Sequence, residues 1–255
     1  MLSAGTLTSE LKALGLERGD VVLVHSSYKS MGGVEGGPQT LLDTLLEILG
    51  RTGTLILPTF NFDFCKGSPF DVRTTPSHMG VLTELGRGHP QSRRVFHPIY
   101  SFAILGALRE ELGSLRYQSS FGGESLFGKL RELDGKIMVI GLSYTDSMTF
   151  FHHVEEMEGC DYRFLKAFEG EVTDAKGSTR RETYLMLVRD LSRGVVTAVD
   201  PMGTILEQQG VVKIRRIGEA TVKLMNANDV YRITAREMKR DPQLLYQLQP
   251  ESGSG

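Results

Sequence analysis

Two buried-type strands joined by one helix, near the N-terminus, constrain the fold more than any other feature of the sequence. Residues 20–25 contain a run of four apolar residues, Val21 to Val24, and read as a buried-type strand. Leucines at helical spacing predict a helix over residues 39–49, and residues 54–58 form a second apolar run. A strand, a helical crossover and another strand make a β-α-β unit with parallel strands and a right-handed crossover. The predicted fold class is therefore α/β, with a central, largely parallel sheet flanked by helices.

The rest of the chain extends this pattern as far as Gly159 and then changes it. Alternation at residues 167–173 and 181–188 predicts a smaller antiparallel β region in the C-terminal third. The other predicted helices run from Thr8 to near Gly15, over 77–86 within a long loop at 60–88, over 125–133, from Asp146 onward, and from about Asn228 through Arg236 to Leu245. Strands are predicted over 102–106 and 136–142. The segments 195–202 and 210–224 have a mixed pattern. Residues 1–250 are expected to form a single domain, and 251–255 a tail or linker remnant.

Composition and charge exclude several classes of protein. With 40% hydrophobic and 24% charged residues in a length of 255, the chain is predicted to be globular rather than disordered. A formal net charge of -2 gives no overall field that would attract nucleic acid or an anionic membrane. The sequence has no basic N-terminal segment followed by a long apolar run, so neither a signal peptide nor a membrane span is predicted, and the expected location is cytoplasmic.

The two cysteines, Cys65 and Cys160, are far apart and match no Cys-x-x-Cys pattern. They predict free thiols rather than a disulfide framework or a structural zinc site. A nucleophilic cysteine is the less favoured alternative, because no neighbouring residue indicates an activated thiolate.

The segment from Asp146 to Glu155 holds the strongest candidate for catalysis. Thr149, His152 and Glu155 follow an apolar strand at intervals of three residues, which places them near one face of the first turns of a helix. A carboxylate beside a histidine fixes its tautomer and stabilises the imidazolium, as a general base requires. A lone helical histidine is more often packed or solvated, but the acidic partner and the position after a strand favour catalysis here.

A glycine-rich loop between the first strand and its helix is the second candidate. Ligands of open α/β sheets bind outside the carboxyl ends of the strands, where this loop begins with His25, Ser26 and Ser27. Its glycines allow close approach of the backbone to a ligand, and they are Gly32, Gly33, Gly36 and Gly37. The loop has neither dinucleotide nor Walker spacing. Taken alone, a polar connection whose serines satisfy backbone groups is the favoured interpretation.

Several motifs occur together in one order. They are Val24-His25-Ser26-Ser27, Val34-Glu35-Gly36-Gly37, Pro58-Thr59-Phe60, Thr75-Pro76-Ser77-His78-Met79-Gly80, His97-Pro98-Ile99-Tyr100-Ser101-Phe102, Phe121-Gly122, Leu133-Asp134-Gly135-Lys136 and Thr149-x-x-His152-x-x-Glu155. Over roughly the first two thirds of the chain, this order resembles the aminoglycoside 3-N-acetyltransferase family, also called antibiotic acetyltransferases. One departure is Met148, which stands where the family commonly has asparagine.

The resemblance implies a reaction and a set of roles. An acetyl group passes from acetyl-CoA to a primary amine, the 3-amino group of an aminocyclitol, and no metal is expected. His152 is the implied general base, Glu155 its partner, and Thr149 a third catalytic residue. The residues implied to bind coenzyme A are His25, Ser26, Ser27, Val34, Glu35, Gly36, Gly37, Thr75, Ser77 and Ser101. The expected partner is a small-molecule amine, a homodimer is allowed, and neither nucleic acid nor membrane is implied.

Three alternatives stay open. The first is an N-acyltransferase of the same family that acts on another amine, such as an amino sugar or a secondary-metabolite intermediate. The second is a metal-dependent hydrolase with His25, His97, His152 and Glu155 as ligands, although neither His-Glu-x-x-His nor His-x-x-Glu-His occurs. The third is a module that binds acyl-CoA without turnover, against which the histidine and glutamate pair argues.

Overall fold

The structure, a computed structural model, describes residues 1–249, so the predicted tail at 251–255 lies outside the described residues. The helices in this part of the chain are α1 (Ala4–Leu14), α2 (Pro38–Leu49), α3 (Val81–Gly88), α4 (Arg109–Gly113), α5 (Leu126–Glu132), α6 (Tyr144–Ser147), α7 (Phe150–Glu158), α8 (Asp200–Gln208) and α9 (Ala227–Arg240). The strands are β1 (Val21–Ser26), β2 (Thr54–Pro58), β3 (Phe70–Asp71), β4 (Arg93–Arg94), β5 (Phe102–Gly106), β6 (Lys136–Ile140), β7 (Arg163–Thr173), β8 (Thr179–Arg189), β9 (Val195–Thr197), β10 (Val212–Ile217), β11 (Ala220–Asn226) and β12 (Tyr246–Leu248). No helix among residues 1–249 combines the length and apolarity needed to cross a membrane.

The largest sheet within residues 1–249 has seven strands in the order β10-β11-β6-β1-β2-β5-β4. Strand β1 is parallel to both of its neighbours, β2 and β6. The strands outside these three extend the sheet in antiparallel pairs. The predicted β-α-β unit is confirmed as β1, α2 and β2, and the carboxyl ends of β1 and β6 meet at one edge, where His25 pairs with Val139 and Ser26 with Ile140.

Helices cover both faces of this sheet. Side chains alternate along each strand, so one strand contributes apolar residues to both faces. On one face Val22 and Val24 of β1 pack with the leucines of α1 and α2. On the other face Leu23 belongs to an aromatic-rich cluster that includes Phe127 of α5 and Phe150 of α7. The α/β fold class is thereby confirmed.

The predicted antiparallel region of the C-terminal third is also present. Strands β7 and β8 form a long hairpin, from the pair Arg163 and Arg189 at its open end to Thr173 and Thr179 at the turn. Strand β3 adds to this hairpin as a third strand. At the open end of the hairpin Arg163 contacts Glu155 of α7, which makes this region part of the candidate site.

Several predicted helices have different bounds in the structure. Helix α1 begins at Ala4 rather than at Thr8, and α3 spans Val81–Gly88 rather than residues 77–86. The segment expected to open one helix at Asp146 forms two, α6 and α7, which are separated at Met148 and Thr149. The final helix begins at Ala227, because the Asn226 side chain caps it, and it ends at Arg240 rather than at Leu245. Pro242 explains this early end, since proline cannot donate a helical hydrogen bond and disfavours helical geometry in the preceding residue.

Candidate active site

The corner between α6 and α7 brings His152 to the edge of the sheet. Ser143 caps α6, its hydroxyl accepting a hydrogen bond of 3.0 Å from the amide of Asp146. The carboxylate of Asp200, at the start of α8, accepts bonds from the Tyr144 amide at 2.9 Å and the Thr145 hydroxyl at 2.7 Å. These bonds hold the start of α6 against the start of α8.

His152 and Glu155 form a hydrogen-bonded pair on the first turns of α7. Nδ1 of His152 lies 2.6 Å from Oε2 of Glu155, whose side chain is completely buried. The hydroxyl of Tyr162 donates to Oε1 of Glu155 at 2.8 Å, and Nε of Arg163 lies 2.9 Å from Oε2. A buried carboxylate is strongly unfavourable unless a cation and hydrogen bonds compensate it, and this one has both.

The electrostatic surroundings favour a neutral imidazole beside an ionised acid. Burial lowers the pKa of His152 below its ordinary value, and although Glu155 opposes this effect, Arg163 adds to it. Burial alone would raise the pKa of Glu155, but His152, Arg163 and the Tyr162 hydroxyl hold it below its ordinary value. An ionised Glu155 can only accept, so Nδ1 of His152 carries the proton and donates, which leaves Nε2 free to take a proton from a substrate.

The His152 ring, with 17% of its side chain exposed, lines a cleft of about 460 Å³. The cleft lies between α7 and the open end of the hairpin. The other lining residues are the hydroxyl-bearing Tyr100, Thr145 and Thr197, the apolar Met186, Leu187, Val188 and Leu191, and the cationic Arg163 and Arg189. A small molecule can therefore reach the imidazole directly.

Thr149, the third predicted catalytic residue, lies at the N-terminal boundary of α7. Its carbonyl oxygen accepts the amide proton of His152 at 3.0 Å. Among residues 1–249, no hydrogen bond joins its hydroxyl to His152 or Glu155. The structure therefore brings two of the three predicted catalytic residues together and leaves the Thr149 hydroxyl, which is half-buried, without a place in the pair.

The predicted coenzyme loop starts beside the strand that leads to α7. The amide of Ser27 donates to the carbonyl of Ile140, the last residue of β6, at 2.8 Å. Gly36 and Gly37 have φ of 76° and 78°, a left-handed region in which a side chain would be strained, and Gly37 is the N-cap of α2. Of the other predicted residues in this segment, His25 and Val34 are buried, Ser26 is half-buried and Glu35 is exposed.

A row of aromatic rings connects this loop with the catalytic pair. His25 lies edge-on to Phe60 at 6.5 Å between ring centroids, and Phe60 to Tyr100 at 4.7 Å. Tyr100 packs on Phe121 at 4.7 Å, and Phe121 meets His152 edge-on at 5.2 Å. Burial lowers the pKa of His25 to about 4, so His25 is a neutral member of this row.

The remaining predicted coenzyme residues are held by internal hydrogen bonds. The Thr75 hydroxyl accepts from the Asp71 amide at 2.9 Å, and the Ser77 hydroxyl accepts from the Met79 amide at 3.0 Å. The hydroxyl of Ser101, which is 1% exposed, donates to the Thr59 carbonyl at 2.8 Å. Thr75 also lines a small cavity of about 170 Å³. No observation assigns a coenzyme contact to these residues, and their role stays a prediction.

Sequence reasoning missed three residues that organise the site. Arg163 and Tyr162 are adjacent at the start of β7, across the turn at Gly159, and no spacing rule connects them with Glu155. The third is Arg94, whose guanidinium donates to the Thr75 carbonyl at 2.5 Å, the Thr59 carbonyl at 3.1 Å and the Ser101 hydroxyl at 3.0 Å. Arg94 thus joins the loop at Thr75 to the ends of β2 and β5.

A larger groove of about 1020 Å³ lies between the segment 116–125 and β8. It contains none of the predicted catalytic or coenzyme residues. Within residues 1–249, no group of three or more His, Cys, Asp or Glu side chains is placed to hold a metal ion. The candidate active site is therefore identified by the His152 and Glu155 pair rather than by the size of a cavity.

Comparison with known proteins identifies the family. The family model described as aminoglycoside 3-N-acetyltransferase matches residues 23–239, most of the chain. The chain belongs to this family. The resemblance read from the sequence motifs is confirmed, and the protein is an acetyltransferase of the aminoglycoside 3-N-acetyltransferase type.

Relatives in this family are similar over different lengths. The SPbeta prophage-derived aminoglycoside N(3')-acetyltransferase-like protein YokD of Bacillus subtilis (strain 168) is 31% identical over 173 residues, which cover 59% of this chain and 63% of that protein. Aminoglycoside N(3)-acetyltransferase IV from Salmonella sp is 28% identical over 253 residues, covering 97% and 91%.

Solved structures of aminoglycoside acetyltransferases share the fold. The crystal structure of aminoglycoside acetyltransferase AAC(3)-Xa superposes with a TM-score of 0.82 at 27% identity and covers 94% of this chain and 93% of that one. A structure described as AAC-IIIb binary with CoASH superposes with a TM-score of 0.81 at 23% identity, covering 93% and 96%.

Proposed function

We propose that the protein transfers the acetyl group of acetyl-CoA to a primary amine, with His152 as general base and Glu155 as its partner. The observation that carries this proposal is the His152 and Glu155 hydrogen bond of 2.6 Å at a cleft open to small molecules. Family membership supports the reaction class. Residues 1–250 act as one acetyltransferase domain in this proposal.

The reaction is a direct attack of the amine on the thioester carbonyl. Nε2 of His152 takes a proton from the amine as the C–N bond forms, and Glu155 stabilises the resulting imidazolium. The oxyanion is met by an amide N–H or by a hydroxyl of Ser26, Ser27 or Thr149. When the intermediate collapses, the C–S bond breaks and the proton passes to the leaving thiolate of coenzyme A, so the base returns to its neutral form.

Acetyl-CoA is placed along the loop from His25 to Gly37 in this proposal, with Thr75, Ser77 and Ser101 near its channel. Three features support the placement: the loop lies at the carboxyl end of β1, its glycines leave the backbone accessible, and a structural relative is described with bound CoASH. The chemistry described needs no metal ion. Proton transfer and oxyanion stabilisation come from this chain's own groups.

The acceptor indicated by the family is an aminoglycoside, with the 3-amino group of its aminocyclitol as nucleophile. A second candidate within the same chemistry is another small amine. The lining of the cleft favours it, since residues 1–249 contribute two arginines and no carboxylate to that lining. In both cases the partner is a small-molecule amine.

Thiol release from acetyl-CoA in the presence of amines tests the proposal. We expect His152→Ala to lower kcat by roughly 10² to 10⁴-fold with unchanged circular dichroism, because general base catalysis contributes about that much. His89→Ala is a matched control, since His89 lies at the end of α3, outside the cleft, and its Nδ1 accepts only a local bond from the Gln91 amide. Near-normal turnover by His152→Ala would contradict the assignment.

A further inference from the structure

The lining of the cleft beside His152 contains cationic side chains and, within residues 1–249, no acidic ones. The cationic side chains are those of Arg163 and Arg189. A polycation is bound most favourably where carboxylates face it, and like charges brought together weaken binding. The lining therefore points to an acceptor that bears negative charge.

The two arginines lie directly opposite each other on β7 and β8. Residues opposite each other in an antiparallel pair project from the same face of the sheet. The Arg163 side chain is 4% exposed and contacts Glu155, so this face is the one that meets α7. Like charges in directly opposite positions destabilise a sheet unless anions compensate them.

Only one of these two charges is compensated by the protein. Arg163 is paired with Glu155, and its Nη2 donates to the Thr197 hydroxyl at 2.7 Å. Arg189 is exposed, and among residues 1–249 no carboxylate oxygen lies within 4.0 Å of its guanidinium nitrogens. By contrast, Arg180 and Arg181 on the same strand are both paired with glutamates. The cation that faces the base is thus left available to a ligand.

We propose that the acceptor amine carries a carboxylate or a phosphate group, and that Arg189 binds this group while His152 accepts the amine proton. This inference rests on the acetyl transfer proposed above and narrows its acceptor class. A guanidinium binds either group through two parallel hydrogen bonds, which would hold the amine at a fixed distance from the base. The phosphates of coenzyme A are a second source of negative charge, but the pantetheine arm keeps them remote from the thioester, whereas Arg189 lines the same cleft as the base.

Matched acceptors and matched variants test this inference. Thiol release is measured with glucosamine, glucosamine 6-phosphate, the uronic acid of glucosamine, and gentamicin, for the wild type, Arg189→Gln and Arg181→Gln. We expect one of the two acid-bearing sugars to be preferred over glucosamine. Arg189→Gln should lower kcat/KM for that sugar by about 10-fold or more, the loss typical of a hydrogen bond to a charged group, while glucosamine and the KM for acetyl-CoA change little. Arg181→Gln removes the same charge from β8 outside the cleft and should have no effect.

Three results would overturn the inference. They are a preference for gentamicin, an equal effect of Arg189→Gln on glucosamine and its acidic analogues, and a rise in the KM for acetyl-CoA, which would assign Arg189 to the coenzyme phosphates.

If no amine supports thiol release, the proposed reaction fails instead. The anion site is then tested alone by titration with inorganic phosphate, followed by NMR of the His152 ring. A saturable shift that Arg189→Gln abolishes supports the site, and its absence in the wild type refutes it.

Discussion

Replacement of Arg163 by glutamine tests how the buried charge of Glu155 is maintained. Nε of Arg163 lies 2.9 Å from Oε2 of Glu155, and the two side chains are 4% and 0% exposed. Removal of one partner from a buried pair costs about 3–5 kcal/mol, because an uncompensated charge is left behind. Tyr162 and His152 continue to bond Glu155, so we expect the free energy of unfolding to fall by about 3 kcal/mol, the lower end of that range.

The same replacement should move two pH dependences. Burial and Arg163 both lower the pKa of His152, so without Arg163 the ring becomes protonated at higher pH. Only the neutral ring can accept a proton, and the acidic limb of kcat/KM therefore moves to higher pH. The pKa of Glu155 is depressed in the fold, so its contribution to stability is present above its unfolded pKa and is lost as pH falls through the folded pKa. Arg163→Gln raises that folded pKa, and acid unfolding should begin at higher pH.

The measurements are kcat/KM as a function of pH and urea unfolding at neutral and mildly acidic pH. Arg193→Gln is the matched control, because its pair with Asp161 is exposed, at 40% and 74%, and such pairs contribute little. Arg163→Lys should recover part of the stability. If Arg163→Gln unfolds like the wild type and its acidic limb does not move, Glu155 does not depend on this cation and the reasoning is refuted.

Two further replacements examine the partner of the base and the coenzyme channel. Glu155→Gln keeps the shape of the side chain but removes the charge that fixes the imidazole. We expect kcat, measured by thiol release, to fall by roughly 10²-fold or more, with little change in the KM for acetyl-CoA. An unchanged kcat would show that the His152 ring needs no acidic partner. Arg94→Met removes the bonds that join Thr75, Thr59 and Ser101, so the KM for acetyl-CoA should rise and the Tm should fall, as initial rates and thermal unfolding will show. A normal KM in a stable Arg94→Met protein would mean that this loop does not shape the coenzyme channel.

The sequence predicts best those features that depend on short-range patterns. The central strands are apolar runs with glycine or proline nearby, and these two signals suffice to locate β1, β2 and β6. The contact of His152 with Glu155 is predictable for the same reason, since a spacing of three on a helix brings two side chains together whatever the rest of the fold does. The final helix was predicted too long, although Pro242 is a visible signal for its end.

Contacts between distant segments could not be predicted in this way. Arg163 reaches Glu155 only in the folded chain, because the start of β7 lies beside α7 after the chain turns at Gly159. Arg94 is an exposed-type residue in the sequence, yet its guanidinium lies among backbone carbonyls that come together only in the folded sheet. Such residues are located by three-dimensional structure, because no local period relates them to their partners.

The two arginines at the open end of the hairpin, Arg163 and Arg189, have different roles in the active site. Arg163 stabilises the folded protein, because Glu155 would otherwise be a buried and uncompensated anion. Directly opposite, at position 189, the cation has no carboxylate partner within residues 1–249 and faces the cleft. A change of residue 189 therefore alters the charge that the acceptor meets and, less than a change of residue 163, also the pKa of His152, which both arginines lower. It follows that Arg189→Glu should raise kcat/KM for gentamicin relative to an acidic amino sugar, and that the acidic limb of the pH profile should move to higher pH, because the cation that helps to lower the pKa of His152 is replaced by an anion.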